Sequence, residues 1–509
     1  MVKRICLLDL MITIYINNID MKIIRYSAKG WNKYASYSEL KTENIHSWQI
    51  DSTPGWFCEN LIEENTYIDW SRGFKLSCFN IVEKHNNKVA IYNTASESII
   101  LLENKEYEDL EKWIVNPMIE ISQYFLSNLF TLGIIVYLEE DEMFKVDYII
   151  NSSIYNSSNI KSFVIYPTTE CNARCFYCFA HEDICNGLKM SYETAADLIE
   201  FICKQVGPND EVVFRWFGGE PLVATDVIDY IISNFRERMP NNCYHSIITT
   251  NASLLTPELL IHAIKEWNLK KLLLPIDGYR NTHDKRKNYR GNDCISYYSA
   301  LRLIIEEALS LGVYCVIRFN IDRVNINELD DVLMDFKEFN TRSNFFFQAT
   351  TLHVPEFLIG KNTDRFFTYN DFEGFYGLVF DKMLEYGYYK SIPEIFPKRQ
   401  LSVCEAKLSN HFLISSDGNI YACEQENHTA SSSLGNCKTG VITNIQLEKW
   451  INTKLSDSCK ECRFVPVCLG GCEYYRQRND EFVTPCTRTK FYIGILLKKL
   501  CEYPTSKNM

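Results

Sequence analysis

No apolar run in this 509-residue chain reaches the ~20 residues that a membrane-spanning helix needs. The nearest approach, Ile5 to Ile16 behind Lys3 and Arg4, is broken by Asp9. No small-residue cleavage site follows it, so it does not read as a signal peptide. Residues 1–20 read instead as a misassigned start or a disordered lead-in, with Met21 as the initiator. Positive charge is also short. Lys and Arg number 53 against 65 Asp and Glu, and a net charge of −12 argues against broad contact with a phosphate backbone. Neither a nucleic acid nor a membrane is therefore expected as a partner.

Cysteine, in contrast, is abundant, at 20 residues. A secreted, disulfide-stapled scaffold is one reading of such a count. Length and a hydrophobic content of 46% oppose it, because a chain of this size buries a core without staples. Ten of the cysteines fall in tight groups with the spacing of metal ligands. The expected setting is a reducing cytoplasm.

The most informative group is Cys171, Cys175 and Cys178, spaced Cys-x3-Cys-x2-Cys directly after the apolar stretch Ser162 to Pro167. A cubane iron–sulfur cluster takes four ligands, so three thiolates leave one iron open to a substrate or cofactor. Zinc is the rival, but it usually takes four ligands paired as Cys-x2-Cys.

From Ser162 to about Thr350 strands and helices alternate. Strands are expected at 162–167, 211–216, 244–250, 271–276, 312–320 and 343–349, with helices such as Tyr192–Gln205, Pro257–Trp267 and Tyr297–Leu311 between them. Such βα repeats imply a parallel sheet or partial barrel, with ligands at the C-terminal strand ends. The cysteine triad, Gly218-Gly219-Glu220-Pro221, Asn251 and Asp277 each follow one strand, so all are expected at one mouth. Upstream, Phe79–Lys84 and Lys88–Tyr92 flank His85-Asn-Asn as a hairpin. Asn151–Asn159 reads as a linker. From Cys404 onward the chain is loop-rich and cysteine-dense.

That last region carries Cys404-x13-Gly418-x4-Cys423, then Cys459-x2-Cys462-x5-Cys468-x3-Cys472, then Cys486. Together with the triad and the Gly-Gly-Glu-Pro run, this series resembles a radical S-adenosylmethionine (radical SAM) enzyme with a C-terminal SPASM domain, over about residues 160–490. The resemblance implies an α/β fold: a partial (β/α)6 TIM-like barrel, an N-terminal winged-helix-like α/β domain and a C-terminal loop-rich iron–sulfur (SPASM) domain. Its boundaries are 21–155 for a leader-peptide-recognition-like domain, 160–370 for the radical SAM core, 371–400 for a bridge, 401–490 for the SPASM domain and 491–509 for a tail.

The same resemblance implies three [4Fe–4S] clusters and SAM. Cys171, Cys175 and Cys178 hold the SAM-binding cluster. Cys459, Cys462, Cys468 and Cys486 hold one auxiliary cluster, and Cys404, Cys423 and Cys472 hold the other with three ligands. Gly218, Gly219, Glu220 and Pro221 form the SAM-facing turn, with Glu220 accepting from the SAM ammonium. Tyr177 corresponds to the family's aromatic near adenine, and Asn251 and Arg318 are polar contacts for SAM; the plain alternative for both is a rim residue. Pro275 stands where the family has a hydroxyl, which shifts the carboxylate contact toward Arg318. Asp277 is a candidate proton acceptor, or else a loop-bracing aspartate.

By resemblance the function is peptide maturation. SAM cleavage gives a 5′-deoxyadenosyl radical, which takes a hydrogen from a ribosomally made precursor peptide, and a crosslink forms. A thioether is favoured because an auxiliary iron left open could hold a substrate thiolate; Cys437 is the competing ligand. Reduced flavodoxin or ferredoxin is the expected electron donor. The alternatives are an anaerobic sulfatase-maturating (formylglycine-generating) enzyme and, in another class, an electron-transfer or scaffold protein. The remaining cysteines, Cys6, Cys58, Cys78, Cys185, Cys203, Cys243, Cys294, Cys315 and Cys501, are expected to be buried thiols.

Overall fold

The structure, a computed structural model, describes residues 22–24 and 68–502, except 156–158, 181–186, 291–295, 362, 427, 443–444, 453, 477, 479–480 and 483. The expectations for residues 1–20, Met21, Cys6, Cys58, Cys185 and Cys294, and for most of 21–67, lie outside the described residues.

The first layer is a four-stranded antiparallel sheet of β1 (Lys22–Ile24), β3 (Asn80–His85), β4 (Lys88–Asn93) and β5 (Ile99–Glu103), in the order β1-β5-β4-β3. The β3–β4 hairpin turns at Asn86 and Asn87, both with positive φ (48° and 62°). Asparagine tolerates that left-handed pair, which matches the twist of the flanking strands. Residues alternate between two apolar layers, as a period of two requires. Val89, Ile91, Ile100 and Leu102 pack on helices α1 (Asn104–Val115) and α2 (Gln123–Thr131). Ala90, Tyr92, Ile99 and Leu101 pack on a helix at the far end of the chain, Thr489–Glu502. That helix replaces part of the tail expected at 491–509. Ile493, Leu496, Leu497 and Leu500 recur at helical spacing and are buried, so this segment completes the N-terminal core. A short pair, β2 (Phe74–Leu76) with β6 (Ile135–Tyr137), flanks the unit.

The second layer is one ten-stranded sheet. Its parallel part is β7 (Ile160–Ile165), β8 (Glu211–Trp216), β9 (Tyr244–Thr249), β10 (Leu269–Ile276), β11 (Tyr314–Ile321) and β12 (Phe345–Thr351), paired in chain order. The fold is α/β with a large, mainly parallel sheet, as expected for a partial barrel. Its helices carry their start signals in the sequence. Ser191 caps Tyr192–Gln205 by accepting from Thr194 N, and Thr256 caps Pro257–Glu266, whose first residue is proline. Phe214 stacks on Trp216 at 5.7 Å under these helices, both fully buried.

The region expected to be a separate loop-rich domain feeds the same sheet. β13 (His411–Ile414) pairs parallel with β7, and β14 (Asn419–Tyr421), β15 (Gly435–Asn436) and β16 (Gly440–Val441) continue antiparallel from it. Without β13, the β7 edge would present unpaired backbone groups. Among the described residues no helix is long and apolar enough to cross a membrane.

Candidate active site

The cysteine loop leaves β7 at Tyr166 and is pinned at both ends. Thr168 Oγ1 accepts from Glu170 N at 2.9 Å. Arg174 N donates to Lys287 O at 2.8 Å, and Arg290 N to Asn172 O at 2.7 Å. Burial pushes the Cys171 thiol up to about 11 and Cys178 up to about 12; Cys175 adds to both. Buried thiols that raise one another's pKa are a donor set that needs a cation to become thiolates.

Gly218 and Gly219 serve this loop. Gly219 N donates to Thr168 O (3.1 Å) and Glu220 N to Glu170 O (2.8 Å). A Cβ on Gly219 would stand 2.1 Å from Glu170 O, and one on Gly218, at φ +112°, 2.4 Å from Thr168 O. Glycine here permits the turn to approach the cysteine loop closely. Glu220 braces the same turn. It is 1% exposed, and its carboxylate accepts from Thr250 Oγ1 (2.6 Å), Asn251 N (2.8 Å) and Leu222 N (3.2 Å). Burial nonetheless pushes its carboxyl up to about 7. Glu220 thus ties the turn to the end of β9. Pro221 is buried and opens the short helical turn that follows. Asn251 completes the tie through Nδ2 to Asn172 Oδ1 at 3.0 Å.

Tyr177 and Asp277 meet directly. The Tyr177 hydroxyl lies 2.6 Å from both Asp277 oxygens. Lys287 Nζ is 3.1 Å from Asp277 Oδ2 and donates to the Tyr177 hydroxyl at 3.3 Å. Asn320 Nδ2 donates to the same carboxylate at 3.2 Å. Burial would raise the Asp277 carboxyl, but Lys287 and His283 outweigh it and hold it below the usual range. The carboxylate is thus held between Tyr177, Lys287 and Asn320. Pro275 pairs with Arg318 on β11, while the β9 ladder has ended at Leu273–Thr249, so the missing N–H faces no partner strand. Arg318 lies on β11 between buried neighbours, and desolvation by the surrounding protein, then the nearby Arg488, lower its pKa.

Sequence reasoning missed Lys287. It is 3% exposed and acts electrostatically on Cys175, Glu220 and Asp277, so one cation serves three of the motifs. A buried lysine at the end of a short helix has no marker in sequence. The side chains it pairs with supply the only signal, and those come from other strands.

The later cysteines form two neighbourhoods. Burial pushes the Cys423 thiol up, with Cys404 and Cys472 adding to it. Burial likewise raises Cys468, with Cys486, Cys459 and Cys462 adding. The described cysteines are all free thiols, and among the described residues no three His, Cys, Asp or Glu side chains converge on a single-ion site. Neighbouring buried thiols of this kind are a donor set that an iron–sulfur cluster or a zinc ion would use. Cys437 packs elsewhere, its Sγ 3.9 Å from Thr194 O and its charged neighbours Asp197 and Asp417. Of the other thiols, Cys315 and Cys501 are buried as expected and Cys203 is half-buried. Cys78 and Cys243 are exposed, since each sits in a turn between strands or helix and strand.

Residues 165–353 match the family profile described as the Radical SAM superfamily. The chain is similar to the cysteine-type anaerobic sulfatase-maturating enzyme of Clostridium perfringens, at 23% identity over 350 residues, covering 63% of this chain and 90% of that protein. It is also similar to the radical SAM cyclopropyl synthase TigE of Paramaledivibacter caminithermalis, at 24% over 155 residues, 28% of this chain and 32% of that one. Among solved structures, native anSMEcpe with bound AdoMet and Cp18Cys peptide superposes with a TM-score of 0.53 at 18% identity, over 67% of this chain and 97% of that chain. The last likeness is one of fold.

Proposed function

We propose that this chain, an enzyme built on a radical SAM domain, is a maturase that crosslinks a ribosomally made precursor peptide, with a thioether as the favoured product. The observation that carries this reading is the folded α/β unit of Phe74–Tyr155 ahead of the barrel. A sheet of that kind can take a peptide as an added strand. Formylglycine formation on a sulfatase needs no such unit.

The residues fit their proposed roles as follows. Cys171, Cys175 and Cys178 hold the first cluster on a loop that Gly218, Gly219, Glu220 and Asn251 keep in shape. Tyr177, fixed by Asp277 and Lys287, presents its ring beside that loop. Arg318 is the proposed contact for the SAM carboxylate. Cys459, Cys462, Cys468 and Cys486 form one auxiliary set, and Cys404, Cys423 and Cys472 a second with an open position, to which the placement of Cys437 against Thr194 adds no ligand. When bound, the clusters and SAM supply one-electron chemistry and a hydrogen-abstracting radical. Reduced flavodoxin or ferredoxin is the proposed donor. In the proposed reaction the peptide loses a carbon-bound hydrogen to the radical and a thiol proton to solvent. A carbon–sulfur bond would form, with the clusters, held by the cysteine sets named above, supplying the capacity to take up the surplus electron.

The second reading, oxidation of a Cys or Ser to formylglycine, is favoured by the likeness to sulfatase-maturating enzymes. Anaerobic incubation with SAM, dithionite and a short cysteine-containing precursor peptide, beside a sulfatase-derived peptide, distinguishes the two. The crosslinking reading expects 5′-deoxyadenosine and a peptide lighter by two hydrogens. An aldehyde on a sulfatase peptide, with the short peptide unchanged, would establish the second reading.

A further inference from the structure

The three cysteines proposed for the open auxiliary set share a sequence feature: each is followed by a glutamate, in Cys404-Glu405, Cys423-Glu424 and Cys472-Glu473. In the other auxiliary set the following residues are Lys460, Arg463, Leu469 and Thr487. Two of the three glutamates reach one cation. Arg215 pairs through Nη1 with Glu405 and through Nη2 with Glu424 at 3.5 Å. The third, Glu473, lies 3.9 Å from Lys407 and 3.4 Å from Arg476.

Arg215 belongs to β8, two residues before the Phe217-Gly218 turn, and its backbone is held on both sides by pairing with Val164 and Ile247. Its side chain is 13% exposed, against 24% and 27% for its partners. Burial works against the guanidinium, but Glu405 and Glu424 outweigh it and hold it charged. A pair this enclosed is geometrically demanding, because stranding either partner is costly. It joins the parallel sheet to two loops whose other contacts near these cysteines include Lys407 N to Cys404 O (2.9 Å) and Gln425 N to Cys423 Sγ (3.4 Å).

We propose that Arg215 is the positioning residue of the Cys404–Cys423–Cys472 set: it fixes two of the three ligand-bearing loops against the concave face of the sheet and neutralises the glutamates beside them. The inference rests on the proposed assignment of those three cysteines to a cluster.

The test is Arg215→Met in the full chain, reconstituted anaerobically with iron and sulfide beside the wild type. The expected result is about four fewer irons per chain, loss or displacement of one auxiliary signal in the electron paramagnetic resonance spectrum, and an unchanged response of the first cluster to SAM. Arg215→Lys is expected to restore the signal in part. Because Arg215→Met strands two carboxylates, a triple variant, Arg215→Met/Glu405→Gln/Glu424→Gln, is measured beside it; it carries no stranded charge and is expected to show the same altered signal. Wild-type iron content and auxiliary spectra in the triple variant would overturn the inference. A wild-type chain that binds only one or two clusters, with Cys472→Ala changing nothing, would overturn the cysteine assignment instead.

Discussion

Gly219→Ala is the most direct test of how the first cysteine loop is built. The new Cβ would stand 2.1 Å from Glu170 O, 2.4 Å from Thr169 O and 2.5 Å from Glu170 C. All three are backbone atoms, so no side-chain rotation relieves the contact. Reaching an ordinary 3.4 Å requires the two segments to part by 3.4 − 2.1 = 1.3 Å. That movement breaks the hydrogen bonds from Gly219 N to Thr168 O and from Glu220 N to Glu170 O. Each contributes about 1 kcal/mol, and overpacking adds about 1–3 kcal/mol. The local cost is therefore about 3–5 kcal/mol, enough to speed hydrogen exchange at those amides by more than about a hundredfold. Exchange at residues 168–171 and 219–220 of the apo chain reads this directly. Iron content after reconstitution reads its consequence, a loss of about four irons. Wild-type exchange together with full iron loading in Gly219→Ala would refute the account of the glycine pair as a close-approach device.

Asp277→Asn should strand the buried Lys287 ammonium and cost about 3–5 kcal/mol, measured by denaturant unfolding; Asp277→Asn/Lys287→Met should recover part of it, and a single-variant cost below about 1 kcal/mol would show that the pair is not the brace it is taken for. Lys271→Met should stabilise the chain at neutral pH. Burial first, then Arg215, pushes Lys271 down to about 8 from the ordinary 10.5. Between those values the unfolded chain holds more protons than the folded one, so wild-type stability should rise relative to Lys271→Met as pH climbs from about 8 to 10.5. At pH 7 the variant should gain about 1–3 kcal/mol, and an equal stability of the two chains across that window would sink the reasoning.

The chain's own sequence determined the parallel core. Its six strands begin and end within three residues of the expected positions, because apolar runs and cap residues such as Ser191 and Thr256 are local signals. The grouping of chemistry at the strand ends was legible for the same reason: Cys171, Gly218, Asn251 and Asp277 each follow a strand, and parallel strands share one polarity. Glu220 and Asp277 were legible as positions, but their partners were not. Their partners Thr250, Tyr177 and Lys287 come from other segments, 30, 100 and 10 residues away.

Only the tertiary structure decided what closes the molecule. The helix Thr489–Glu502 covers a sheet made of residues 80–103, and β13 joins the edge of β7 across some 250 residues. Neither choice is local: an apolar helix face or a strand edge states that it must be covered, not by what. The same holds for charge. Arg215, Glu405 and Glu424 carry no marker of one another in the sequence, and only folding removes the water and brings them together.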